Sequence, residues 1–253
     1  MMCFSLNSGS NGNSVYVEAE GVGLLFDAGL SGKRTAERLA RHGRRVQDVS
    51  AVIISHDHRD HVTGAGVLWR KFDLPIYMTG RTYKATGAYL GRIDRLNFFV
   101  PGATLRFGPV TVQTHRTPHD AAEPVVFVVS AGKRRLGIFT DLGCVFRGLP
   151  MLLGGVDAAF LESNYDPDML AYGPYPPALK RRIIGDGGHL SNQESAELVA
   201  ASDGRLQWVA LSHLSEVNNT PELALRTHRR IAGPRRPIHL ASRYKAGELL
   251  RVE

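Results

Sequence analysis

The chain has 253 residues, 43% of them hydrophobic and 22% charged, which is enough apolar material for a substantial buried core. Its 31 basic residues, 25 of them arginine, outnumber 24 acidic ones and leave a net charge of +7; this favours polyanions such as nucleic acid, with the planar arginine fork suited to phosphate. A membrane-spanning helix is excluded by the lack of any run of ~18 apolar residues, a disulfide framework by having only Cys3 and Cys144, and the opening MMCFSLNSGSNGN lacks the layout of a secretion signal, so a soluble cytoplasmic protein is expected.

Strand-like segments come first, at residues 2–6, 14–19 and 23–27, the first two joined by the turn Gly9-Ser10-Asn11-Gly12-Asn13. A helix is predicted over 31–42, with Ser31 as its N-cap and Gly43 as its stop. Residues 51–55 (AVIIS) read as a buried strand that ends in a polar loop, followed by a helix near 63–72 and a strand at 75–79. The middle predicts strands at 97–100, 109–115, 124–130 and 135–140, with a hairpin turn at 131–134. After Cys144 come a short helix, a strand at 157–162, and a Pro/Tyr/Gly-rich stretch over 166–177. Helices at 177–184 and 192–201, a strand at 206–211, a helix at 221–231 and a strand at 237–240 complete the chain. No internal repeat is evident. β-rich halves interleaved with helices suggest an α/β fold in which helices cover two packed sheets, a four-layer αββα sandwich in one domain over 1–253. The coarse pattern alone does not separate this from other α/β folds.

The chemistry concentrates in Ser55-His56-Asp57-His58-Arg59-Asp60-His61, directly after the AVIIS strand. Loops at strand ends are where rigid scaffolds present functional groups. Imidazoles and carboxylates crowded this tightly repel or desolvate one another unless a cation joins them, and these donor types suit zinc, manganese or iron.

This stretch resembles the H-x-H-x-D-H signature of the metallo-β-lactamase superfamily, and the resemblance extends over essentially the whole chain. It is closest to the YycJ/WalJ-like branch, a group associated with DNA exonuclease activity. The blocks that carry the closer likeness are GSNGNS at 9–14, LLFDAGLS at 24–31, SHDHRDHVTG at 55–64, HDA at 119–121, TDLG at 140–143, LESNYDPDML at 161–170, GGHLSN at 187–192 and LSHLSEVNNTPELA at 211–224. The resemblance implies two divalent cations, Zn2+ or Mn2+. His56 and His58 would bind the first with His119, Asp60 and His61 the second with His213, and Asp141 would bridge them. Two ions about 3.5–4 Å apart can hold a shared hydroxide and clamp a substrate oxygen. His115 competes with His119, and Asp141 and His213, each ending an apolar strand, have ordinary readings as a helix cap and a strand-end residue. Asp27 is expected to orient a ligand histidine rather than bind metal.

Asp60 and His189 are the catalytic candidates. His189, in GGHLSN, would contact the scissile phosphate or act as a general acid, against a capping role before the next helix. Asn164, Tyr165 and Asp166 would shape a substrate groove, with Asn164 as a substrate contact. The resemblance implies histidine where Tyr165 stands; tyrosine, with a pKa near 10, is a poor proton-transfer group at neutral pH, so packing is expected there. Lys180, Arg181 and Arg182 would grip a nucleic-acid backbone, and Arg34, Arg38, Arg41, Arg44 and Arg45 recur on or after the first helix. Cys144 is expected to be a small buried residue. The resulting expectation is a phosphodiesterase acting on DNA, a 5′-to-3′ exonuclease of repair. Its rivals are a small-molecule hydrolase such as a thioesterase, a ribonuclease, and a non-catalytic metal-bound regulator, because a fold does not determine its substrate.

Overall fold

Alternation along the first strands assigns their side chains to separate layers. In β1 (Met2–Asn7) and β2 (Ser14–Ala19), Cys3, Val15 and Val17 join one core, while Phe4, Leu6 and Tyr16 join another. The computed structural model describes residues 1–202, 204–234 and 236–253, with the backbone alone at 88 and 89. β3 (Val22–Phe26), β4 (Val49–Ile53), β5 (Ile76–Thr79), β6 (Leu96–Phe99) and a short final β14 (Leu250–Arg251) complete the first sheet, ordered β14-β1-β2-β3-β4-β5-β6. The second sheet contains β7 (Thr104–Phe107), β8 (Val110–Arg116), β9 (Val125–Ala131), β10 (Arg134–Phe139), β11 (Ala158–Glu162), β12 (Trp208–Ser212) and β13 (Ile238–Leu240), ordered β13-β12-β11-β10-β9-β8-β7.

The sheets face each other across a core that includes Leu24, Phe26 and Ile53 from one and Phe127, Ile138 and Phe160 from the other. Phe26 and Phe127 meet at a 5.1 Å ring separation. Outside the first sheet, Leu25, Val52 and Ile54 are covered by Leu39 of α1 (Gly32–Ala40) and Leu68 of α3 (Ala65–Phe72). Outside the second, Phe139, Leu161 and Val209 pack with Leu153 of α5 (Leu149–Gly154), Leu198 of α8 (Asn192–Ala200) and Ala224 of α9 (Pro221–Ala232). Helix, sheet, sheet, helix is the layered α/β sandwich expected from the sequence.

Each sheet is antiparallel on one side and parallel on the other, with β3 to β6 and β10 to β13 forming the parallel runs. Central parallel strands are covered on both faces, which explains the apolar runs that begin at Ala51 in β4, Ala158 in β11 and Trp208 in β12. Functional loops gather beyond the carboxyl ends of such strands.

Several elements differ from the sequence expectation. The helix expected near 63–72 is α3, and an unanticipated single turn, α2 (Arg59–Val62), precedes it; between the two, the Gly64 N–H donates to the Ala28 carbonyl at 2.7 Å. A helix not anticipated, α4 (Gly80–Leu90), carries Gly80, Gly87, Thr82 and Thr86, all weak helix formers, and is started by Thr79 capping Thr82. The Pro/Tyr/Gly-rich stretch also contains α6 (Pro167–Tyr172), with Asp166 accepting from the N–H groups of Asp168 and Met169. The expected helix at 177–184 is α7 (Pro177–Ile184). β7 and β14 are edge strands of four and two residues, too short to show a period in sequence.

Candidate metal centre

β4 delivers the first candidate ligands. Beyond it, the Ser55 N–H donates to Asp27 Oδ1 at 2.7 Å and the Ser55 hydroxyl to Asp27 Oδ2 at 2.9 Å. With its proton so committed, Ser55 Oγ accepts from His56 Nδ1 at 2.8 Å, which leaves His56 Nε2 as the free nitrogen. His61 Nδ1 likewise donates to Asp27 Oδ2 at 2.8 Å. The turn α2 sets Asp60 and His61 beside each other, with His61 Nε2 3.5 Å from Asp60 Oδ2 and 3.3 Å from Asp141 Oδ2. The loop is clamped from behind by Asn13 N–H donating to the Asp60 carbonyl at 2.6 Å and Ala28 N–H to the His61 carbonyl at 2.7 Å. Gly29 makes this clamp possible, since a Cβ there would overlap the Asp60 carbonyl.

The remote residues arrive on strand ends. His119, in the β8–β9 loop, donates from Nδ1 to the Gly188 carbonyl at 2.9 Å and turns Nε2 to within 3.3 Å of His58 Nδ1 and 3.5 Å of Asp141 Oδ1. His58 Nε2 lies 3.2 Å from the Asp120 carbonyl. His213 Nδ1 donates to Glu162 Oε1 at 2.9 Å, and its Nε2 lies 3.6 Å from Asp60 Oδ2. Asp27, Asp141 and His213 have φ of 64°, 58° and 58°, so each takes the left-handed conformation just beyond the end of a strand, after Phe26, Phe139 and Ser212. Such backbone costs about 1–3 kcal/mol per residue and is held only where surrounding contacts enforce it. Here the kink ends each strand's alternation at the residue whose side chain enters the cluster. Gly143, at φ 65°, lets the turn after Asp141 press on the Pro118 carbonyl beside His119, where a Cβ would clash.

Candidate ligand atoms of His56, His58 and His119 lie within 4.8 Å of one another, as do those of Asp60, His61 and His213, and Asp141 groups with members of both sets. His119 joins the cluster and His115 does not. His56 Nε2, His213 Nε2 and Asp141 Oδ2 are buried without a hydrogen-bond partner. A buried imidazole lone pair and carboxylate oxygen left bare are costly; bound cations would satisfy all three, and the donor set fits zinc or manganese chemistry. Nearly every ring nitrogen not aimed inward is held by Ser55, Asp27, Glu162 or a backbone carbonyl, the outer support that metal-binding histidines need.

Residues 8–206 match the metallo-beta-lactamase superfamily. The chain belongs to that superfamily. It is 39% identical over 222 residues to the exodeoxyribonuclease YycJ of Bacillus anthracis, a match spanning 87% of this chain and 84% of that protein. It is 38% identical over 224 residues to the exodeoxyribonuclease WalJ of Streptococcus pneumoniae serotype 2, spanning 87% and 83%. Among solved structures, the metallo-beta-lactamase fold protein YhfI of Bacillus subtilis is similar with a TM-score of 0.77 at 16% identity over 98% of both chains, a likeness of fold. As a member of this superfamily the protein is a metal-dependent hydrolase.

Charge inside this metallo-β-lactamase cluster is balanced by protons when no cation is bound. Burial together with His61, His119 and His58 holds His56 well below the usual imidazole range. Burial alone would depress His61 too, but Asp141, Asp27 and Asp60 outweigh it and raise His61 well above that range. His213 is likewise pushed up to about 10, against its burial, by Asp141, Asp60 and Glu162. Burial opposes ionisation of Glu162 and Asp141, yet the adjacent imidazoles keep both carboxyls below the ordinary carboxylate range. A cation would displace the protons on His61 and His213.

A cleft of about 270 Å³ opens over the cluster, and Ser10, Arg59, Arg182 and His189 line it beside the candidate ligands. His189 donates from Nδ1 to Glu162 Oε1 at 2.9 Å and stays 3.9 Å from Asp141 Oδ1. It does not cap α8; Ser191 does, in a reciprocal pair with Glu194. Arg182 Nε donates to Asp120 Oδ2. Lys180 and Arg181 form no part of the cleft wall: Lys180 Nζ donates to the Ala171 carbonyl at 2.7 Å, and Arg181 is exposed. Asn164 is buried, and its amide donates to the His213 carbonyl at 2.7 Å, so it braces a ligand loop instead of reaching substrate space. Tyr165 packs with Leu170 and Ile183. Cys144 is half-buried. On α1 and after it, Arg38 donates to the Leu6 and Tyr244 carbonyls, Arg44 pairs with Glu18 and Arg45 with Asp48, while Arg34 and Arg41 are exposed.

Glu162 is the residue that sequence reasoning passed over. It accepts from His189, His213 and the N–H groups of Leu142 and Leu190, wholly buried. The available signal was a charged residue closing the apolar run AAFLE, the pattern that marks Asp141 and His213. Arg59, between two ligand positions, was passed over as well.

Proposed function

We propose that this hydrolase is an exodeoxyribonuclease that degrades DNA from the 5′ end with two divalent cations, zinc or manganese, in cytoplasmic DNA repair, the 253 residues acting as one domain. The observation that carries this reading is the pair of ligand sets on either side of Asp141, with bare buried atoms, under a cleft walled by Arg59 and Arg182. The names of the relatives from Bacillus and Streptococcus support DNA as the substrate. Two free cysteines suit a reducing compartment, and no helix of the described residues is long and apolar enough to cross a membrane.

His56, His58 and His119 would hold one cation and Asp60, His61 and His213 the other, with Asp141 between them. Bound cations supply Lewis acidity and offset the charge that develops on phosphoryl oxygens. Arg182 and Arg59 would bind the phosphates flanking the scissile bond, and Lys180 and Arg181 would attract the strand at longer range. Asp60 would orient the attacking water and take its proton. His189 is held through Nδ1 by Glu162, which leaves Nε2 to protonate the departing sugar oxygen.

The test is incubation of purified protein with single- and double-stranded DNA, RNA and a thioester, labelled separately at each DNA end, in manganese or zinc. Release of nucleotides from the 5′ end of DNA is expected, with binding that weakens linearly in log salt by roughly 0.9 per phosphate neutralised. Cleavage confined to RNA or the thioester would overturn the reading.

A further inference from the structure

A second cavity, of about 310 Å³, lies beside the metal cleft. Its walls come from the segment that follows the candidate ligand His213, from the start of α9, and from the loop after β13, so it occupies the next place along the carboxyl ends of the parallel strands. The two spaces share a partition. Ser8 lines the cavity and its Oγ accepts the His213 N–H at 2.7 Å, while Ser10, two residues on, lines the metal cleft. Leu214 and Ser215, directly after His213, also face the cavity.

Its chemistry is unlike that of the metal cleft. Leu214, Pro221 and Leu240 make it mainly apolar. Tyr244, 68% exposed, stands at it with its hydroxyl donating to Glu216 at 2.9 Å. Arg243 pairs through Nη2 with Glu216 at 3.0 Å and its guanidinium lies over one face of the Tyr244 ring, 5.7 Å from the centroid, yet its Nε and Nη1 are buried with no hydrogen-bond partner. Buried guanidinium donors without acceptors are uncommon and point to a missing acceptor. The loop is fixed in place, since Arg38 donates to the Tyr244 carbonyl at 2.8 Å and Asn11 to the Arg243 carbonyl at 3.0 Å.

We propose that this cavity is a nucleobase subsite, which receives the base of a nucleotide flanking the scissile phosphate, with the ring against Tyr244 and its acceptor edge toward Arg243. The proposal rests on the nuclease reading above. A base has the properties these walls lack a partner for: a flat apolar face to stack, and oxygen and nitrogen acceptors at its edge. Aromatic and arginine side chains recognise unpaired bases in this way without reading sequence. Lys245, also at the cavity, adds charge complementary to the strand that would connect the two spaces.

The experiment uses the metal-loaded full chain and single-stranded DNA in which the first or the second base is removed. Stacking on one aromatic is worth about tenfold, within the range found for alanine substitution at such contacts. Wild-type protein should therefore cleave intact DNA about tenfold more efficiently than one of the two abasic strands. In Tyr244→Ala that preference should shrink to under about twofold, and in Tyr244→Trp it should persist. Indifference of the wild type to both missing bases, or an undiminished preference in Tyr244→Ala, overturns the proposal. Failure to cleave any DNA would instead be a failure of the nuclease reading. The cavity is then judged by calorimetric titration with thymidine 5′-monophosphate: affinity weakened about fivefold or more by Tyr244→Ala supports it, and equal affinity or none, as expected for capture through phosphate alone, overturns it.

Discussion

The two halves of the ligand cluster are built from similar side chains but different surroundings. Behind His56, His58 and His119 stand neutral acceptors: the Ser55 hydroxyl and the carbonyls of Asp120 and Gly188. Behind His61 and His213 stand the buried carboxylates Asp27 and Glu162. The consequence is opposite electrostatics within one site, with His56 and His119 driven toward the neutral form by burial while His61 and His213 hold protons against it. A carboxylate behind an imidazole raises its basicity and its strength as a ligand. His56 and His119 are thus ready for a cation without titration, and His61 and His213 exchange protons for theirs.

The largest expected effect removes what the halves share. Asp141→Ala should cut metal content from about two ions to below one and reduce turnover roughly a thousandfold, as loss of a central electrostatic group can. Metal analysis and DNA hydrolysis measured on the same sample check it; two retained ions would show the halves to be independent of Asp141. His189→Ala should sharpen the comparison from outside, because His189 shares Glu162 with His213 but is not assigned as a ligand. Fold and metal content should persist while kcat falls about a hundredfold and KM changes less. Loss of one metal equivalent would instead make His189 a ligand.

Outer partners come next. Asp27→Asn and Glu162→Gln should each weaken cation binding about 10- to 100-fold. Competition with a chelator measures this, and Ser55→Ala, which removes the neutral acceptor behind His56 but leaves the Asp27 bond to His61 in place, should lose less. Equal losses in all three would erase the distinction between the halves.

The smallest effect is a pH dependence. His61 and His213 have folded pKa values raised above the imidazole value of 6.5, His213 to about 10. In metal-free protein their stabilisation is therefore fully present below about pH 6.5 and is lost as pH rises toward about 10. Asp141 and Glu162, with depressed values, contribute above the ordinary carboxylate range and lose it as pH falls through their folded values. The Tm of metal-free protein should fall from pH 6.5 to pH 9, while cation affinity rises over the same interval because fewer protons must leave. A metal-free Tm independent of pH would remove the proton-holding account of the second half.

The local ligand loop was legible in sequence because its residues are consecutive and follow an unmistakable buried strand; one helical turn after His58 suffices to set Asp60 and His61 beside each other. Apolar runs of strand length made an α/β fold legible for the same reason, and the resemblance to the metallo-β-lactamase superfamily narrowed it to the αββα layering. Glu162 was not, because a carboxylate at a strand end gains its role only when His189 and His213, 27 and 51 residues away, are folded onto it. Asn164, Lys180 and Arg181 show the converse: suggestive positions in sequence whose side chains the fold commits elsewhere or leaves outside the cleft. α4 formed where propensity argued against it, since Thr79 caps it and Leu90 buries in the outer core. Residue type and spacing thus set which groups could bind a cation. The kinked strand ends at Asp27, Asp141 and His213, which depend on packing from distant loops, decided which of them meet.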